Sequence, residues 1–177
     1  MGLVIVFLRA SFGGYDGLAD PVGWALVVAG LVPLRSRIPS GGPALALAAI
    51  AGVFSVPVFF PAVQARLGPS ADWGIGLPQN LFCLVLVTSL TALAGRAGEP
   101  VARRFGLLRT AYAVMLLGPA VVYGGRVDAL VVPLAVLTVV ANVSLVYLTF
   151  RVARRPYALV EGDADRKPGL SRRRRPG

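Results

Sequence analysis

The side chains able to do chemistry are few in this chain, and they sit within or beside long uncharged stretches. Asp20 is the one acid placed to enter an apolar zone, in Gly17-Leu-Ala-Asp-Pro-Val-Gly-Trp24. Two roles suit it. As a cation or proton site it would pair with Arg9, because ionisable groups inside membranes are usually paired or functional. As a helix N-cap it would precede Pro21 at the first helical position, where a missing amide hydrogen costs nothing. Asn142, with Thr138 four residues earlier on the same helical face, is the most polar group deep in any apolar stretch. An unpaired amide in hydrocarbon is costly, so Asn142 is expected to bond across to another helix, with Thr88, Ser89 or Thr91 as natural partners, or else to touch a substrate.

Several chemistries are excluded outright. The chain has no histidine, which removes His-ligated metal, haem held through His and every histidine general base. No carboxylates cluster within a span, and there is no Gly-rich phosphate loop or metal-ligand set. No catalytic residue, metal or cofactor is therefore expected, and the balance is against an enzyme. The single Cys83 lies inside an apolar run and reads as a small buried hydrophobe. The 18 basic residues against 8 acidic ones lie beside apolar runs or in the tail, without interleaved aromatics, so nucleic acid is not an expected partner.

The elements that must carry these groups follow from composition. The chain is 56% hydrophobic and 15% charged, against about 25% charged in ordinary globular domains. Crossing the hydrocarbon takes about 20 apolar residues, and charge-free blocks of that order recur. The reading is an all-α integral membrane bundle of about five transmembrane helices plus a short N-terminal partially inserted helix. The transmembrane helical domain covers 1–152, with spans near 17–34, 43–63, 76–95, 107–125 and 128–151. Residues 153–177 are expected to form a disordered basic cytoplasmic tail, since they cannot bury a core. The stretch Gly2 to Leu8 is a poor signal peptide. No basic residue precedes Arg9 to fix the side of the N-terminus, and a short helix dipping partway in, followed by a Gly13-Gly14 turn, is expected. An upstream start would also explain it.

Arginine and lysine record sidedness, because basic flanks are retained in the cytoplasm. Placing Arg35 and Arg37 inside puts 15 basic residues there and leaves Arg9, Arg66 and Arg126 outside. The expected location is the bacterial cytoplasmic (inner) membrane, multi-pass, with a cytoplasmic C-terminus. Trp73 and Tyr123 then fall at outer ends of spans, and Tyr112, Tyr147 and Phe150 near inner ends, as interface anchors.

Within the second span, Ala44, Ala48 and Gly52 recur four apart, a spacing of small residues that lets helix backbones approach. Pro57, Pro61, Pro119 and Pro133 are expected to kink helices in their outer halves, and a cavity there is one consequence. No internal repeat of the inverted-transporter kind is visible.

Asp20-Pro21-Val22-Gly23-Trp24, followed by an apolar stretch ending Gly30-Leu31, resembles the opening of an uncharacterised family of small bacterial multi-pass membrane proteins. Its members similarly carry a short apolar N-terminal segment, a Gly-rich turn and an Asp-x-x-Gly-aromatic motif opening the first full helix. The likeness covers about the first 35 residues and implies no activity. The function expected from all of this is an accessory or assembly subunit packing against other membrane helices. The alternative is a small transporter or channel component working as an oligomer. Partners would be membrane lipids, anionic ones at the tail, and a membrane protein or further copies of the chain.

Overall fold

The computed structural model describes residues 2–7, 11, 12, 15, 16, 20–96, 98 and 100–153. Apart from a two-residue antiparallel pairing of β1 (Ser11–Phe12) with β2 (Tyr15–Asp16), the described regular structure is helical. The order is α1 (Gly2–Phe7), α2 (Asp20–Leu31), α3 (Gly41–Val58), α4 (Pro61–Gln64), α5 (Pro69–Arg96), α6 (Val101–Gly125), a 3-10 turn at Asp128–Leu130, and α7 (Val131–Ala153). Four stretches are long and apolar enough to cross a membrane: Gly41–Val58, Trp73–Arg96, Val101–Gly125 and Val131–Ala153.

Proline decides where two expected spans stop. In the described part of 17–34 the helix runs from Asp20 and ends at Leu31, because Pro33 has no amide hydrogen and disfavours helix at Val32 before it. The chain leaves instead through turns, with the Leu34 amide donating to the Leu31 carbonyl at 3.0 Å. Twelve residues rise about 18 Å, short of the roughly 30 Å of hydrocarbon. The stretch 43–63 is likewise divided. Phe60, held before Pro61, is extended (φ −86°, ψ 121°), so α3 ends at Val58 and Pro61 opens the one-turn α4. Pro57 lies inside α3, Pro119 inside α6, and Pro78 inside α5. Pro133 is the third residue of α7, in the first turn, where a proline has no intrahelical amide bond to lose. In contrast, α6 starts earlier than 107, at Val101, since Arg103 and Arg104 are good helix formers whose long stems leave the charge free.

Packing is built on small residues around one aromatic ring. Trp24 on α2 is 2% exposed and meets Phe82 of α5 edge-on, with ring centroids 5.3 Å apart. Gly52 makes room for it, since a Cβ there would stand 3.1 Å from the Trp24 Cβ. Ala44, Ala48 and Ala51 are buried on α3. On the other side of α2, Gly23 admits α1, because a Cβ on it would sit 2.7 Å from the Val6 Cγ2. The core continues between α5 and α6, where Cys83, Val87, Phe105 and Tyr112 are fully buried, and takes in Ala141, Leu145 and Leu148 of α7. Ser89 donates to the Pro39 carbonyl and ties the 32–40 turn to α5. Arg35, Arg37, Arg96, Arg103, Arg104 and Arg151 gather at one end of these alternating helices, and Arg66 and Arg126 lie at the other.

Replacing Gly52 by Leu drives a branched side chain into Trp24. Overpacking of this kind costs about 1 to 3 kcal/mol, so G52L is expected to lower the melting temperature in detergent by about 5 °C. G30L, at a glycine with nothing within 4 Å of an added Cβ, should leave it within about 1 °C. Scanning fluorimetry of both variants checks this, and equal melting temperatures would contradict the close α2–α3 approach.

Candidate functional site

Hydrocarbon accepts no hydrogen bonds, so each polar side chain of a membrane bundle has to find its partner within the protein. Most do so locally. Thr88, Thr91, Thr138 and Thr149 donate back to the carbonyls of Leu84, Val87, Leu134 and Leu145, at 2.7 to 2.8 Å. Ser55 donates to the Gly52 carbonyl at 2.7 Å. These hydroxyl protons are spent on the helices that carry them.

Asn142 is tied differently from the expectation. Its Oδ1 accepts from the Tyr112 hydroxyl at 2.8 Å, joining α6 to α7, and no bond links it to Thr88, Ser89 or Thr91 of α5. Tyr112 is 0% exposed, so it is a buried cross-link between helices and not an interface anchor. With Oδ1 accepting from Tyr112, the two Nδ2 hydrogens of Asn142 remain as donors.

Asn142 and Thr138 both line a cavity of about 310 Å³ at the low-charge end of the bundle. The second half of α3, the first turns of α5, the last turns of α6 and the first half of α7 enclose it, with Trp24 of α2 at its base. Gln79 and Asn80 contribute two more amides, and Trp73 and Tyr123 contribute aromatic rings. The amide hydrogens of Gln79, Asn80 and Asn142 donate to nothing among the described residues, and the buried Trp73 Nε1 has no partner there either. No described lining residue is charged. Phe54 and Tyr123 are about half exposed, so the cavity is open at its rim.

The remaining expected residues lie elsewhere. Asp20 is the first residue of α2, where a negative charge favours the helix dipole. Its side chain and Arg9 lie outside the described residues. Ala44 and Ala48 are buried on α3, Gly52 of the same helix meets Trp24 of α2, and Pro119 lines the cavity wall. Gln79, Asn80, Trp73 and Tyr112 were not singled out as site residues from sequence. Gln79 and Asn80 are adjacent polar residues between Pro78 and a long apolar run, which is the signal that points to them. Among the described residues no group of three or more acids or cysteines is placed to hold a metal.

The Tyr112–Asn142 pair is testable by a double-mutant cycle. Y112F removes one interhelical hydrogen bond and is expected to cost about 0.5 to 1.5 kcal/mol. N142L leaves the buried Tyr112 hydroxyl with only the weakly hydrogen-bonding Cys83 thiol beside it and should cost about 1 to 3 kcal/mol. The double variant should recover most of the N142L loss; strict additivity in a denaturation series would refute the pairing. Compared with known proteins, the chain matches no protein family, no curated protein and no solved structure.

Proposed function

We propose that this chain is an accessory or assembly subunit of the bacterial cytoplasmic membrane, crossing it five times and leaving its C-terminus in the cytoplasm. The observation that carries the reading is the outer face of α7. Val132, Val136, Val139 and Val143 are each more than half exposed, and Tyr147 and Phe150 continue the row. Their spacing of four, three, four, four and three places all six on one narrow stripe, the pattern of a knobs-into-holes seam. Valine has one strongly preferred rotamer in a helix, so docking such a face against another helix orders little that is not already ordered. This helix also has the highest mean hydropathy of the four, 2.2, and the smallest buried share.

The fifth crossing is α2 with its flanking residues in 17–34. Sidedness rests on the arginine-rich end facing the cytoplasm. Residues 154–177 would hold to anionic headgroups, each basic residue contributing about 1 kcal/mol. The likeness of Asp20 to Trp24 to small bacterial multi-pass membrane proteins belongs to the same proposal. A second reading, a small transporter or channel component working as an oligomer, is favoured by one observation, the polar-lined cavity between the helices.

One cysteine-scanning series tests these points. In a C83A background, S70C on the low-charge end is expected to react with an impermeant thiol reagent on intact cells and E99C is not; the reverse pattern would invert the topology. V139C should give a cross-linked adduct of defined mass in native membranes, while V53C, exposed on α3, should not. An adduct with a different polypeptide supports the accessory role, an adduct of twice the chain mass supports the oligomer, and no adduct at V139C contradicts both.

A further inference from the structure

We infer that the cavity at the low-charge end is a binding site for a neutral, membrane-soluble molecule whose head carries carbonyl oxygens. The inference stands on the cavity wall and holds whether the chain is an accessory subunit or an oligomeric carrier. At about 310 Å³ the space is at the lower end of the range of about 300 to 1,000 Å³ seen for small-molecule sites.

The chemistry of the wall selects the ligand. A formal charge entering it would meet no counter-charge among the described lining residues, and burying an unpaired charge in such a medium is prohibitive. The ligand is therefore neutral. The hydroxyls of Ser55 and Thr138 are already committed to backbone carbonyls. What remains is weighted toward donors: the Asn142 Nδ2 hydrogens, since its Oδ1 already accepts from Tyr112, and the buried, unpartnered Trp73 indole N–H offer donors alone, while Gln79 and Asn80 each add two amide hydrogens beside one carbonyl oxygen. A wall rich in unused donors calls for acceptors, and a carbonyl oxygen is the acceptor that a neutral, apolar-bodied molecule brings. Ile75, Met115 and the ring of Phe54 supply the apolar surface for that body. Ring ketones and diacylglycerol esters both present this chemistry.

Both tryptophans of the chain, Trp24 and Trp73, line this one cavity, so intrinsic fluorescence reports its occupancy. The experiment uses the full chain in a maltoside detergent, which has no carbonyl group to compete. Menadione, a naphthoquinone that quenches indole emission, is expected to quench saturably with half-saturation near ~10 μM. N80L and W73F should each raise that concentration about five- to thirtyfold, with melting temperatures near the parent's; Trp24 still reports in W73F. The value should be constant within about twofold from pH 5.5 to 8, since the described lining carries no acidic or basic side chain. The carbonyl-free 2-methylnaphthalene should displace menadione, read as recovery of emission, at least tenfold more weakly than 2-decalone, a saturated ring ketone without the quinone chromophore, does. Displacement by dioctanoylglycerol would assign lipid esters as a source, and its failure would assign ring ketones. Linear, unsaturable quenching, equal displacement by 2-methylnaphthalene, or full retention of affinity in both N80L and W73F would each overturn the site and leave a cavity filled by water.

Discussion

The inability of hydrocarbon to accept or donate a hydrogen bond is the constraint on which the whole arrangement depends. It explains why threonines along α5 and α7 fold back on their own helices and why Ser89 reaches the Pro39 carbonyl. It explains why the Tyr112 hydroxyl and the Asn142 amide, 30 residues apart, are found 2.8 Å from one another. Gln79, Asn80 and the Asn142 amide hydrogens are left over from this pairing among the described residues. They collect at one end, between helices, where the wall of a cavity keeps them from the acyl chains. The exposed large hydrophobics, by contrast, include valines on α3 and α6 that lipid solvates without a protein partner.

Close backbone approach is what makes that segregation possible. Gly52 and the alanines of α3 let α2 lie against it, and Trp24 then fills the space between α2 and α5. Gly23 performs the same service for α1 on the opposite side of α2. The Asp-x-x-Gly-Trp opening thereby acquires a physical meaning: an acid at the positive end of the helix dipole, a glycine that admits α1 and an indole that floors the cavity. Prolines at 57, 61, 78 and 119 fall toward this same end. They loosen the helices where the cavity opens and leave the arginine-rich half tightly packed around Phe105 and Cys83.

How much of this was legible in the amino-acid order differs from element to element. Charge-free length locates the low-charge ends of α6 and α7 and the arginine end of α5 to within a few residues, because lipid solvation demands it. The same criterion overstates α2 and α3, where the conformational veto of Pro33 and Pro61 acts on the residue before each. It understates α6, because arginines that flank a span can equally form its first turns. Small-residue spacing points to the α3 face that packs, although not to Trp24 as its partner. Asn142 is readable as a group that must be satisfied. Its partner is not, since a tyrosine near a span end resembles an interface anchor until the tertiary contacts bury it. The cavity depends on four helices at once, and pairwise sequence spacing contains no record of that.

Alkaline carbonate extraction of native membranes tests most directly whether hydrocarbon surrounds this bundle. Retention of the full chain in the membrane pellet, with release only by detergent, is the result this account predicts. Recovery of the chain in the supernatant, monodisperse without detergent, would contradict it, because the exposed valine faces and the sidedness of the arginines would then have no physical basis.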